Sequence, residues 1–131
     1  KLLPYDQREI NSLKNTITGS VYKVTIDNSH PMAFGYPKNY YSLKKGSESY
    51  QLIDQGYNVG YIDGDAISVA GFSGEVAKKG LKNSLVFGEK RLGKGSIIYM
   101  VDDVLFRSFW ENGKLFLANA VFFVNNSKFR L

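Results

Sequence analysis

The sequence predicts an α/β or α+β domain, in which a mixed sheet of short strands is flanked by an amino-terminal helix and a buried carboxyl-terminal helix. Three observations lead to this prediction. An apolar period of three to four residues marks the start of the chain, short segments with a period of two fill the middle, and a longer apolar run lies near the end. The chain has 131 residues, the size of one ordinary domain, so we predict a single domain over residues 1–131.

The composition is that of a folded protein and narrows the chemistry. Hydrophobic residues make up 44% of the chain and charged residues 22%, a balance that can form a core. There is no cysteine, which excludes disulfides, thiolate metal sites and a cysteine nucleophile. The chain has one histidine, so it cannot build a multi-histidine zinc site alone. We therefore predict no metal and no cofactor.

The amino-terminal helix is predicted from its cap and its apolar face. Asp6 and Glu9 have the spacing of a capping box. Ile10, Leu13 and Ile17 then fall on one helical face, which we expect to be turned toward the core.

Short strands follow wherever apolar and polar residues alternate or β-branched residues cluster. They are predicted at residues 21–26, 40–43, 50–53, 59–62, 66–70, 85–87 and 97–101. Ser73 and Gly80 bracket one or two helical turns. Residues 97–101 have almost no polar face, which predicts a central strand covered on both sides.

The final helix is predicted at residues 114–124. It is apolar nearly all round, so we expect it to be deeply packed. Asn119 interrupts it and is predicted to anchor a loop or a strand end by hydrogen bonds. The run is about half the ~20 residues of a membrane-spanning helix, so no membrane span is predicted.

The net charge of +5 comes from 17 Lys and Arg against 12 Asp and Glu. The densest basic stretches, Lys78-Lys79 and Lys90-Arg91, lie near glycines and are typical of solvated turns. We therefore predict no nucleic-acid partner.

No complete catalytic motif is present, and we predict no catalytic residue. His30, Asp102, Asp103 and Arg107 are the candidates that remain. His30 could act as a general base or a metal ligand, or it could only hydrogen-bond a loop. The two aspartates follow an apolar strand and could bind a cation or transfer protons. More simply, one would cap the next turn and the other would pair with Arg107. An enzyme that uses His30 with either aspartate is the weakest of the hypotheses.

Tyrosines are concentrated in the middle of the chain, where exposed rings could stack on sugars. The candidates for such a surface are Tyr36, Tyr40, Tyr41, Tyr50 and Tyr57. Tyrosine is also an ordinary strand residue, so structural roles for these rings remain open.

Several phrases together resemble a known family. They are residues 30–36 (HPMAFGY), 70–74 (AGFSG), 92–100 (LGKGSIIYM), 106–110 (FRSFW) and 115–120 (LFLANA). In this order they resemble the carboxyl-terminal accessory domain of bacterial zinc-carboxypeptidase-like proteins. That region is similar to class I glutamine-amidotransferase-like domains, which have a flavodoxin-like fold. The resemblance covers residues 19–125.

The resemblance implies that the chain is a carboxyl-terminal fragment of a larger hydrolase and part of a flavodoxin-like domain; its first residue, lysine, agrees with this. The zinc site would lie upstream, in a parent chain that is secreted, periplasmic or attached to the cell envelope. Asn119 and Trp110 would lock the last helix, Arg107 would tie the strand-end loop, and His30-Pro31 would fix a turn.

The function expected from these features is that of a non-catalytic accessory domain, acting in packing, substrate presentation or interdomain contact. Its partners would be the upstream domains of the parent chain. The alternative is a tyrosine-lined module that binds a glycan or peptidoglycan, and a peptide is a further candidate ligand. The localisation of the chain itself is left undetermined.

Overall fold

Within residues 2–125, the part of the chain that the computed structural model describes, six strands form one curled antiparallel sheet flanked by three helices. The strands are β1 (Ile17–Ile26), β2 (Asn39–Lys44), β3 (Tyr57–Ile62), β4 (Ser68–Ser73), β5 (Ser84–Leu92) and β6 (Gly95–Met100). The helices are α1 (Tyr5–Lys14), α2 (Glu75–Gly80) and α3 (Glu111–Phe122), with 3-10 turns at Pro31–Ala33 and Phe106–Ser108. The fold belongs to the α+β class, which confirms the predicted mixture of short strands and terminal helices.

The strand order is β2-β1-β3-β5-β6, and β4 also pairs with β1. β2 pairs with one edge of β1. On the other edge, β4 pairs with the first part of β1 and β3 pairs with its last two residues. Every one of these pairings is antiparallel. A flavodoxin-like domain is built on parallel strands joined by crossover helices, so the flavodoxin-like part of the expectation is not confirmed.

Helix α1 is shorter than predicted, and Ile17 belongs to β1. No side chain caps the first turn of α1, so the Asp6–Glu9 pair does not act as a capping box. Ile10 and Leu13 do share a helical face, but that face does not reach the core: the two side chains are 56% and 51% exposed. The apolar face of α1 is therefore open in the described part of the chain.

Aromatic rings fill the centre of the core. Phe87 of β5 and Phe116 of α3 stack with their ring centroids 4.1 Å apart, and Tyr40 of β2 meets both of them edge-on. All three side chains are at most 2% exposed. Since burial of one large apolar side chain contributes about 1.5–3 kcal/mol, Phe116 is a main anchor of α3 on the sheet.

The prediction that α3 is deeply packed is wrong, because only one side of the helix is covered. Gly113, Phe116 and Asn119 are buried on that side. The opposite side, called here the outer face of α3, consists of Leu115, Leu117, Val121 and Phe122, which are 41%, 38%, 65% and 69% exposed. Among residues 2–125, no helix is both long and apolar enough to cross a membrane.

Two predicted strands have a different place in the fold. β6 lies at the end of the sheet path and its residues alternate between exposed and half-buried, so the prediction of a central strand is wrong. Its outward residues Ile97 and Tyr99 remain 43% and 37% exposed. Residues 50–53 form no strand and contribute a single bridge, from Gln51 to Ser84.

Candidate functional site

His30 holds a turn together. It precedes the 3-10 turn Pro31–Ala33, and its Nδ1 accepts a hydrogen bond of 3.2 Å from the backbone N–H of Met32. This contact confirms that His30-Pro31 fixes a turn. Because Nδ1 is an acceptor, the ring proton is assigned to Nε2, which lies 2.8 Å from Oε2 of Glu89.

Both nitrogens of His30 are therefore occupied by the fold. Its partner Glu89 is 4% exposed and also accepts a hydrogen bond from the Ser96 hydroxyl, so this carboxylate is buried but bonded on both oxygens. Burial lowers the pKa of His30, and this effect outweighs the negative charge of Glu89, which acts in the opposite direction. The described contacts of His30 join it to Glu89 rather than to Asp102 or Asp103, so the proposed histidine–aspartate arrangement is not formed.

Asp102 lies just beyond β6 and connects the two ends of the sheet path. Its Oδ2 accepts a hydrogen bond of 2.5 Å from the Ser42 hydroxyl, and its Oδ1 lies 2.9 Å from Nζ of Lys44. Ser42 and Lys44 belong to β2, at the opposite end of the strand order. The curled sheet is thus closed here by side chains instead of backbone pairing.

Asp103 and Arg107 have roles different from the pairing that the sequence suggested. Oδ1 of Asp103 accepts a hydrogen bond of 3.0 Å from the backbone N–H of Leu105. This contact lies before the 3-10 turn Phe106–Ser108, which no side chain caps, so the predicted cap on the next helical turn is not formed. Oδ2 of Asp103 lies 3.8 Å from Nζ of Lys45. Lysines, and not Arg107, are the cations beside both aspartates; the Arg107 guanidinium lies over the Phe106 ring instead.

Two of the five candidate tyrosines are part of the core. Tyr40 is 2% exposed, and burial raises its pKa to about 12. The hydroxyl of Tyr36 donates to the carbonyl of Asn112 at 2.7 Å and accepts from the N–H of Phe116 at 3.1 Å, while its ring stacks on that of Phe116. Tyr40 is buried and Tyr36 is partly buried against the core, so the structure does not assemble the five-tyrosine surface.

The other three candidate tyrosines are about half exposed. Tyr57 lies beside the ring of His30, with a centroid distance of 5.3 Å. Tyr41 and Tyr50 are 44% and 55% exposed. Of the three, Tyr50 lines the main hollows in this part of the surface.

These hollows are a polar cleft and an apolar hollow that meet at Tyr50 and Val101. The polar cleft has a volume of about 380 Å³ and is lined by the lysine–aspartate pairs described above together with Glu48. The apolar hollow, of about 590 Å³, is lined by residues that include Ile53, Leu85 and Tyr99. Their volumes are those of small-molecule sites, which span about 300–1,000 Å³. This pair of hollows is the candidate functional site.

Helix α3 is locked onto the 3-10 turn next to His30, as the sequence predicted for Asn119. The side-chain amide of Asn119 donates to the carbonyls of Met32 and Phe34 at 3.0 and 2.8 Å. At the other end of the helix, the indole N–H of Trp110 donates to the hydroxyl of Tyr40 at 3.2 Å. Both contacts agree with the locking role expected of Asn119 and Trp110.

Sequence reasoning missed Lys44 and Glu89, the two buried charges of the site region. Strand alternation could have found Lys44, because Tyr40, Ser42 and Lys44 share the buried face of β2. Glu89 lies two residues after Phe87 on β5, but residues 84–89 are all buried, so alternation gives no signal for it. The predicted strands ended one residue before Lys44 and two before Glu89, so both charges were left out of the sheet.

Among the described residues, no group of three or more His, Asp or Glu side chains is placed to hold a metal ion. A scan against protein-family models, a search of curated proteins and a search of solved structures each returned no match to this chain.

Proposed function

We propose that this chain is a non-catalytic accessory domain of a larger hydrolase of the zinc-carboxypeptidase type, and that it packs against a neighbouring domain through the outer face of α3. The observation that carries the proposal is the exposure of that face. Val121 and Phe122 are apolar side chains, yet they are 65% and 69% exposed. Contiguous exposed apolar surface of this kind marks interaction sites.

The outer face of α3 contains no charged side chain, as suits a packing surface. Glu111 and Lys114, the two charged residues of α3, lie in its first turn and pair with each other. Phe34 is also 64% exposed, but its ring meets Phe123 and its carbonyl is bound by Asn119, on the covered side of the helix. The outer face of α3 therefore offers a neighbouring domain an uncharged apolar surface.

The non-catalytic part of the proposal is supported by the structural contacts of His30 and Asp102, two of the candidate catalytic residues. Both nitrogens of His30 hold the turn and Glu89, and Asp102 joins two strands. The resemblance to the accessory domain of zinc-carboxypeptidase-like proteins supplies the class of the parent. On this proposal, the larger protein binds zinc and releases carboxyl-terminal residues from peptides, whereas the isolated chain does neither.

The test compares the isolated chain with the larger protein, using the double variant Val121→Ser/Phe122→Ser. In the isolated chain we expect the free energy of unfolding to change by less than about 1 kcal/mol, since both side chains are exposed. In the larger protein we expect a lower melting temperature for this domain and faster hydrogen exchange in α3, because the interdomain contact is lost.

The matched control is Ile10→Ser/Leu13→Ser, which removes two apolar side chains of similar exposure from α1. It should leave the larger protein unchanged. An equal effect of the two double variants in the larger protein would contradict the proposal, and so would stoichiometric zinc in the isolated chain. A gene that encodes no further domain would also refute it.

A further inference from the structure

The polar cleft contains opposite charges in nearly equal number. Lys44 and Lys45 lie on it with Asp102, Asp103 and Glu48, so its formal charge is close to neutral although the chain as a whole is basic. Each lysine is also paired with an aspartate, at 2.9 Å for Lys44 and 3.8 Å for Lys45. A ligand with a strong charge of either sign would meet like charges here. The cleft therefore favours a neutral ligand.

The same side chains offer donors and acceptors side by side. An ammonium has three N–H donors; within residues 2–125, that of Lys44 has two acceptors, Oδ1 of Asp102 and the carbonyl of Glu48 at 3.5 Å. Both contacts lie inside the fold, because the side chain of Lys44 is 3% exposed. The carboxylate of Asp102 receives one hydrogen bond on each oxygen, from Lys44 and Ser42, and its side chain is 8% exposed. The donors and acceptors open to a ligand are those of Lys45 and Asp103, whose side chains are 48% and 50% exposed. Hydroxyl groups, which donate and accept at once, fit such an arrangement.

An aromatic wall separates this hydrogen-bonding surface from the apolar hollow. Tyr50 is 55% exposed and borders both spaces, and Tyr99 borders the apolar hollow with 37% exposure. A tyrosine ring offers a flat apolar surface with little conformational entropy to lose. Sugar rings combine a C–H face that packs on such a surface with hydroxyls around the rim. Neutral charge, paired donors and acceptors, and an aromatic wall point to the same ligand class.

We propose that the polar cleft and the apolar hollow bind a neutral oligosaccharide. One sugar ring packs against Tyr50, and its hydroxyls bond to the exposed Lys45–Asp103 pair. The site uses only one of the five tyrosines that the sequence suggested, and it lies on surfaces other than the outer face of α3. The proposal is therefore independent of the accessory-domain function.

The test is a titration of the chain with four neutral probes: cellohexaose, xylohexaose, mannohexaose and chitohexaose. We expect saturable binding of at least one of them, followed by amide NMR shifts in residues 44–50 and 98–103. Tyr50→Ala should weaken that binding by about tenfold or more, and Lys45→Ala should weaken it less. Tyr5→Ala is the matched control, because Tyr5 is 88% exposed on α1 and borders neither hollow.

Three outcomes would overturn the proposal. The first is that none of the four probes binds. The second is that one probe binds to Tyr50→Ala and to Lys45→Ala as tightly as to the wild type. The side chain of Lys45 is 48% exposed, so Lys45→Ala should fold even if Tyr50→Ala does not. The third is that polygalacturonate or an unstructured peptide binds at this site more tightly than every neutral probe.

Discussion

His30 and Glu89 form a buried contact whose strength depends on pH. Burial favours the neutral form of the ring, and its Nε2–H donates to the carboxylate of Glu89, which is 4% exposed. Hydrogen bonds to charged groups contribute about 1.5–3 kcal/mol, more than neutral ones. This one also connects the turn at Pro31–Ala33 to β5, because the same histidine caps that turn.

The first prediction concerns the titration of His30. Its pKa in the folded chain lies below the ordinary value of 6.5, so the unfolded chain binds the proton more readily. The stabilisation from this residue is therefore complete above pH 6.5 and is lost as pH falls through the folded-state pKa. Because the chain has one histidine, its imidazole NMR signals report the titration without ambiguity. A midpoint at or above 6.5 would contradict the prediction.

The variant His30→Asn should separate the two roles of the ring. Asparagine can still accept the hydrogen bond from Met32 but does not reach Glu89, so we expect a loss of about 1–3 kcal/mol at pH 7.5, measured by urea unfolding. The difference from the wild type should shrink as pH falls below 6.5, because the wild type then loses its own contribution. A difference that grows on acidification would show that the protonated ring stabilises the fold.

At the residue scale, sequence reasoning succeeded where the partner is local or the role generic. His30-Pro31 was expected to fix a turn, and Asn119 was expected to anchor a loop; both do. Lys44 and Glu89 were missed because a buried charge is tolerated only beside its partner, and those partners lie far away in the chain. One of the two aspartates was expected to pair with Arg107, a neighbour in sequence, whereas Asp102 pairs with Lys44, 58 residues away.

At the scale of elements, local pattern identified most strands and both terminal helices but not how they pack. β6 has an apolar sequence and was placed at the centre, yet it ends the sheet path with Ile97 and Tyr99 outward. The apolar circumference of α3 similarly suggested complete burial. Periodicity reports which side chains could be buried; whether a surface exists to cover them depends on tertiary packing.

The second prediction concerns the approach of α3 to the loop that precedes it. Gly113 lies in the first turn of α3, and a Cβ at this position would come within 2.1 Å of the carbonyl oxygen of Val104. Gly113→Ala must therefore push the helix away from the chain that leaves β6. We expect a loss of about 1–3 kcal/mol in the free energy of unfolding, as for other overpacked positions, measured by urea titration.

Gly80→Ala is the control for that prediction. Gly80 is the last residue of α2, and a Cβ there would have no heavy atom within 4 Å. We expect this variant to be as stable as the wild type or slightly more so, because alanine has less conformational entropy to lose than glycine. Equal stabilities for Gly113→Ala and Gly80→Ala would mean that α3 can shift without cost.

At the scale of the whole molecule, the curled sheet is completed by one aspartate. Asp102 joins the last strand of the sheet path to the first through Ser42 and Lys44, and the side chain of Lys44 is 3% exposed. An inward-pointing charge on an end strand also disfavours pairing with another chain, since the lysine would lose its partner. The same contact forms one wall of the proposed saccharide site.

The last prediction is that Asp102→Asn destabilises the whole fold, whereas Asp103→Asn does not. Without the carboxylate, the Lys44 ammonium is left buried and unpaired, and loss of one partner of a buried pair costs about 3–5 kcal/mol. Asp103 has a side chain that is 50% exposed and lies 3.8 Å from Lys45, so its variant should stay within about 0.5 kcal/mol of the wild type.

The double variant Lys44→Met/Asp102→Leu should recover much of the stability, because no charge then remains buried without a partner. Urea unfolding at pH 7 measures all three. If Asp102→Asn were no less stable than Asp103→Asn, the sheet would not depend on this contact for its closure.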